Sequence, residues 1–189
     1  MIMKSMSDNH DREGFSMRRI ALLAAFAALL AVPAFSLADP SPADQATAQK
    51  QCRDQRAAIG DKAFKDLYGT NKNKSNAFGK CVSKLASANA ADQANAAKAC
   101  RAEQALDPAA FKAKYGTGKN KANAFGKCVS QKAQAQEDQQ QEATINAAKT
   151  CKAERALDPV AFKAKYGTNK NKSNAFGKCV SQHAKAQSD

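Results

Sequence analysis

The chain has 189 residues, a formal net charge of +13, six Cys and no Trp, and its length suits one or two ordinary domains. The 43% hydrophobic fraction overstates the material for a core: from Asp39 onward 34 of 151 residues are Ala, and only 16 are Leu, Ile, Val or Phe. That share lies well under the roughly 20% below which charged chains tend to stay unfolded, so one large hydrophobic core is excluded. A stretch with a single His also has little of the equipment of ordinary enzymes.

Residues 1–38 read as an export signal. Met17-Arg18-Arg19 precede thirteen apolar residues, Ile20 to Val32, then Pro33 and Ser36-Leu37-Ala38. A positive start, an apolar run and small residues at a peptidase site predict cleavage between Ala38 and Asp39. The run is shorter than the ~18–20 residues of a membrane span, which leaves no transmembrane anchor in the mature chain. An uncleaved anchor is the alternative, and Met17 is an alternative start. The mature part keeps 26 Lys and Arg against 14 Asp and Glu, a net charge of +12, and all six Cys. Export places those Cys where disulfides persist, and a secreted or extracytoplasmic location follows.

The mature part contains one unit three times. FKDLYGTNKNKSNAFGKCVS begins at Phe64, FKAKYGTGKNKANAFGKCVS at Phe111 and FKAKYGTNKNKSNAFGKCVS at Phe162, with sixteen of twenty positions identical in all three. The repeats occupy residues 45–86, 94–133 and 145–184, with linkers at 87–93 and 134–144. Each repeat predicts three helices. The first ends near Leu106 or Leu157, and Asp107-Pro108 and Asp158-Pro159 read as an N-cap followed by Pro at the first helical position. Gly60-Asp61 stands in for that pair in the first repeat, which is one residue longer. A short second helix carries Phe111 and Tyr115 on one face, and Gly116 is expected to end it in a left-handed conformation. Asn123 is expected to cap the third helix.

The nine aromatics of the mature part fall three to a repeat, as a miniature core or, alternatively, a platform for stacking a ligand. The Ala- and Gln-rich stretches between repeats lack Gly and Pro, so the third helix of one repeat is expected to run into the first of the next. Solvated on most faces, such connectors predict three beads with few contacts between them. The fold class is therefore all-α: three small disulfide-stapled helical repeats on helical linkers.

Six Cys allow fifteen pairings. Within a repeat the separations are 29 (Cys52–Cys81), 28 (Cys100–Cys128) and 28 (Cys151–Cys179), against 19 and 23 between repeats. A helical connector of 19 residues would hold its Cys roughly 28 Å apart, while a disulfide needs alpha carbons within about 7 Å. Pairing within each repeat is the regular solution. Zinc is the alternative, but there is no CxxC pair and only His183 to supply imidazole. No metal or other cofactor is expected.

The loops at 69–76, 116–123 and 167–174 are the candidate binding elements. Each interleaves two Lys with Asn: Lys72 and Lys74, Lys119 and Lys121, Lys170 and Lys172. Lys80, Lys127 and Lys178 follow in the first turn of the next helix, where exposed amides attract anions. Three such loops predict multivalent, salt-sensitive binding of an anionic polymer: a cell-wall polymer, acidic polysaccharide or extracellular DNA. With only Arg53, Arg56, Arg101 and Arg155 in the mature part, base-specific readout is not indicated. A solvated turn without a ligand, in a structural spacer of the envelope, is the competing reading; a cationic antibacterial or inhibitor role is a third. Catalysis is not expected. His183 lies in the C-terminal tail outside the repeated pattern, Asp107 and Asp158 serve as caps, and Glu103 and Glu154 fall on helix faces expected to be exposed.

The run YGTxKNKxNAFGKCVS resembles a repeat of exported bacterial proteins of unassigned function, over about 30 residues of each unit from Cys52, Cys100 and Cys151 onward. The resemblance implies export and modular repetition, and no activity.

Overall fold

The computed structural model describes residues 39–188, and the predicted signal segment lies outside them. The described residues form seven helices with no strand among them: α1 (Pro42–Ile59), α2 (Asp61–Tyr68), α3 (Ala77–Leu106), α4 (Pro108–Tyr115), α5 (Ala124–Leu157), α6 (Pro159–Tyr166) and α7 (Ala175–Ser188). All three disulfides form within repeats, Cys52–Cys81, Cys100–Cys128 and Cys151–Cys179. Each joins the first long helix of a unit to the start of the next and encloses a short helix and a Lys/Asn loop. No helix among the described residues is long and apolar enough to cross a membrane.

Local signals act as expected at the second and third repeats. Asp107 Oδ1 accepts from Ala109 N and Ala110 N at 3.0 and 2.9 Å, and Asp158 Oδ1 from Val160 N and Ala161 N at 2.9 Å each. Pro108 and Pro159 open the helices these caps start. The first repeat differs from expectation. Gly60 alone serves as the junction at φ +85°, and Asp61 lies inside the first turn, paired with Arg56 and Lys65. α1 begins with a reciprocal cap, in which Ser41 N donates to Asp44 Oδ2 at 2.8 Å and Asp44 N to Ser41 Oγ at 3.2 Å.

The connectors are continuous helix, 30 residues in α3 and 34 in α5, roughly 45 and 51 Å long. They are not solvated on most faces, and the units are not separate beads. α3 lies antiparallel to α1 and to α5, and α7 packs along α5. Alanine allows this by letting helices approach closely: Ala48, Ala86, Ala90, Ala96, Ala133, Ala143, Ala147 and Ala148 are buried. Polar side chains complete the seams. Asn89 Nδ2 donates to Gln51 Oε1 at 3.2 Å, Gln93 Nε2 to Asp44 Oδ1 at 2.6 Å and Gln140 Nε2 to Asp92 Oδ2 at 3.0 Å. Burial raises the Asp92 carboxyl above its usual range despite the hydrogen bond from Gln140, and burial, with Asp92 and Asp44 close by, does the same to Glu137.

Reversal of direction at each repeat places units 1 and 3 together and leaves unit 2 at the far end of α3 and α5. Units 1 and 3 share one core that contains Ile59, Phe64, Tyr68, Phe162, Tyr166, Phe176 and Val180 with both disulfides. Unit 2 has its own core of Cys100, Phe111, Tyr115, Ala124 and Cys128. Two long-range contacts lock the pair: Lys152 Nζ donates to the Ile59 carbonyl at 3.0 Å, and Arg155 Nη1 meets Asp66 Oδ2 at 2.7 Å.

Candidate anion-binding site

Each Lys/Asn loop is built on a buried tyrosine. Tyr68 donates to Gln55 Oε1 at 2.6 Å, Tyr115 to Glu103 Oε2 at 3.0 Å and Tyr166 to Glu154 Oε2 at 2.8 Å. The acceptor stands three residues after the first Cys in every unit. Glu103 and Glu154 therefore do not sit on free faces; Lys114 and Lys165 hydrogen-bond to them at 2.7 Å and, with the tyrosines, hold both carboxyls below their usual range. In unit 1 the acceptor is Gln55, 1% exposed, where a neutral amide avoids the cost of a buried charge. Burial pushes Tyr68 up to about 12.

The loop itself departs from expectation twice. Gly69, Gly116 and Gly167 are extended, with φ of −72°, −74° and −75°. The second lysine of each loop is left-handed instead, Lys74, Lys121 and Lys172 having φ of 57°, 51° and 53°, and the middle loop adds Gly118 at 84°. Glycine is needed for space, since a Cβ on Gly116 would collide with the Lys121 side chain and the Lys112 carbonyl, and the other two loops repeat the collision. Nor do the asparagines cap the third helix with their side chains. Asn123 Oδ1 accepts from Thr117 N at 3.0 Å and its Nδ2 donates to Thr117 Oγ1 at 2.6 Å; Asn76 with Thr70 and Asn174 with Thr168 close the same ring. The side chain that would have covered the helix amides is turned back to brace the loop. A non-glycine residue in the left-handed region costs roughly 1–2 kcal/mol, and these ring bonds hold it there.

Pairing of units 1 and 3 brings two of the three loops to a common groove of about 760 Å³. Lys72, Lys74, Lys84 and Lys178 line it with Asn71, Asn169, Asn171 and Asn174, and Asp66 is its only carboxylate among the described residues. Asp66 is consumed internally: Lys74 lies 2.6 Å, Arg155 2.7 Å and Lys62 3.0 Å from its oxygens. Burial would raise this carboxyl, but the hydrogen bonds from Lys74, Lys62 and Arg155 outweigh it and hold it at about 2. A neighbouring groove of about 300 Å³ carries Lys62, Arg155, Lys163 and Lys172 on the other side of the same carboxylate.

The predicted lysines thus divide. Lys72, Lys74 and Lys178 meet in the main groove, and Lys172, with Lys74 again, lines the neighbouring one. Lys80 and Lys170 are exposed and line neither. Lys119, Lys121 and Lys127 are exposed on unit 2, across the length of the bundle. Lys84, Lys62, Lys163 and Arg155 escaped the sequence reading. Lys84 falls where the other units have Gln131 and Gln182, so repetition gave no sign of it. Its ammonium lies 5.9 Å from the centre of the Tyr68 ring. No family model, curated protein or solved structure matches the chain.

Proposed function

We propose that this is an exported, non-enzymatic binding protein whose basic groove between units 1 and 3 takes an anionic polymer, with the loop of unit 2 as a second, weaker contact. The observation that carries the reading is the meeting of two Lys/Asn loops at one groove whose sole carboxylate among the described residues is already neutralised by three cations. Lysine ammonium groups on braced loops suit phosphate, sulfate or carboxylate groups, and asparagine amides supply uncharged donors beside them. A cell-wall polymer, acidic polysaccharide or extracellular DNA has the repeating charge that lets weak contacts add.

Salt-graded binding to heparin, DNA and cell-wall polymer tests this. Replacing Lys72, Lys84 and Lys178 by Gln is expected to flatten the slope of log affinity against log salt by roughly 2–3. The same exchange at Lys119, Lys121 and Lys127 is expected to change it by less. Unchanged retention of both variants would favour a spacer without a ligand.

A further inference from the structure

One imidazole stands beside one of the three disulfides. Cys179 and His183 are a turn apart on α7, so both point toward α5, which brings Cys151. The two sulfurs and a ring nitrogen of His183 all lie within 4.8 Å of one another. The corresponding position is Leu85 in unit 1, which has no donor, and Lys132 in unit 2, which would repel a cation. Behind the histidine, Tyr166 Oη lies 3.3 Å from Nε2 and donates to Glu154 Oε2 at 2.8 Å. An imidazole oriented through one nitrogen by a hydroxyl and a carboxylate is the outer arrangement that metal-ligating histidines use.

We propose that unit 3 holds a zinc site masked by its disulfide, with Cys151, Cys179 and His183 as ligands and a fourth position left to water. Two thiols of a dithiol reductant give up two electrons and two protons and close into their own disulfide. Cys151 and Cys179 receive them and become thiols, and Zn²⁺ displaces both protons as it binds. Zinc suits two thiolates and an imidazole, with bonds of about 2.3 Å to sulfur and about 2.0 Å to nitrogen. Ligand atoms in such a site lie about 3.3–3.8 Å apart. The sulfurs therefore separate by less than about 2 Å and the ring moves in by about 1 Å, shifts that side-chain rotation supplies. Metal would then take over the tie between α5 and α7 that the disulfide provides.

The test uses the whole chain, reduced with dithiothreitol, desalted without oxygen and titrated with Co²⁺ as a spectroscopic stand-in for Zn²⁺. One Co²⁺ per chain is expected, with thiolate-to-cobalt absorption that Zn²⁺ abolishes and with no binding by the oxidised chain. His183→Ala is expected to weaken binding at least about tenfold, and Leu85→His to add a second equivalent in unit 1. If reduction merely frees three flexible dithiols, binding will approach three ions per chain and ignore His183→Ala, which overturns the proposal. So does the absence of a thiolate band, or equal binding by the oxidised chain.

Discussion

Units 2 and 3 carry the same Phe-Gly-Lys-Cys-Val-Ser segment and fold it into different surroundings. Phe125 and Val129 are half-buried in unit 2, whereas Phe176 and Val180 are 3% and 2% exposed because unit 1 lies over them. Arg155 stacks 4.5 Å from the centre of the Phe176 ring and also reaches Asp66, while Arg101 is 5.8 Å from Phe125. Unit 2 shows what one repeat builds unaided: five buried residues and a disulfide. Unit 3 shows what a neighbour adds. The repeat is thus a minimal fold that covalent closure makes viable, and contact between repeats is a second layer of stability.

The largest break in that comparison comes from the disulfides. Cys128→Ser and Cys179→Ser each remove a loop constraint of roughly 3–4 kcal/mol. In unit 2, with no shared core to compensate, amides of α4 and its loop are expected to lose protection from hydrogen exchange. In unit 3 the corresponding amides of α6 are expected to stay partly protected. Next is the aromatic itself. Phe176→Ala is expected to cost about 3 kcal/mol by urea unfolding, and Phe125→Ala about 1 kcal/mol, because only the first leaves a closed cavity.

Asp66 separates the units through charge, since unit 2 has Ala113 at that place. Its folded carboxyl is lowered from 3.8 to about 2, so its contribution is fully present above pH 3.8 and is lost as pH falls through about 2. Asp66→Asn is expected to cost on the order of 2 kcal/mol at neutral pH, with the gap from the parent chain closing by pH 2 in acid unfolding curves. The smallest effect concerns the loops. Lys121→Gly relieves a left-handed lysine and is expected to raise stability by about 1 kcal/mol in thermal unfolding. Lys74→Gly, which also loses the bond to Asp66, is expected to bring no such gain.

Much of the unit was legible in the residues. The Cys spacing gave the pairing, Asp-Pro gave two caps, and the absence of breakers gave the continuous connectors. Those signals are local. The bundle was hidden because alanine seams and Gln/Asn/Asp bonds across helices resemble solvated composition; only the recurrence of Ala86, Ala90 and Ala96 along one face hinted at burial. Within the site, glycine followed by a Lys/Asn loop suggested a left-handed glycine, whereas steric closeness to the lysine decides the glycine. The tie between each tyrosine and the residue three after the first Cys was visible as a repeated position, but Gln55 disguised it in the first copy. His183 has no histidine counterpart in the other copies, and its distance along the chain from Cys151 conceals how near the two are.

Because every repeat sends the backbone back the way it came, parity governs where a copy ends up. Odd-numbered copies gather at one pole and even-numbered ones at the other. Duplicating one more unit after α7 would give the solitary middle copy a companion and create a second two-loop cleft at the opposite pole, so a single added copy would double the number of paired clefts.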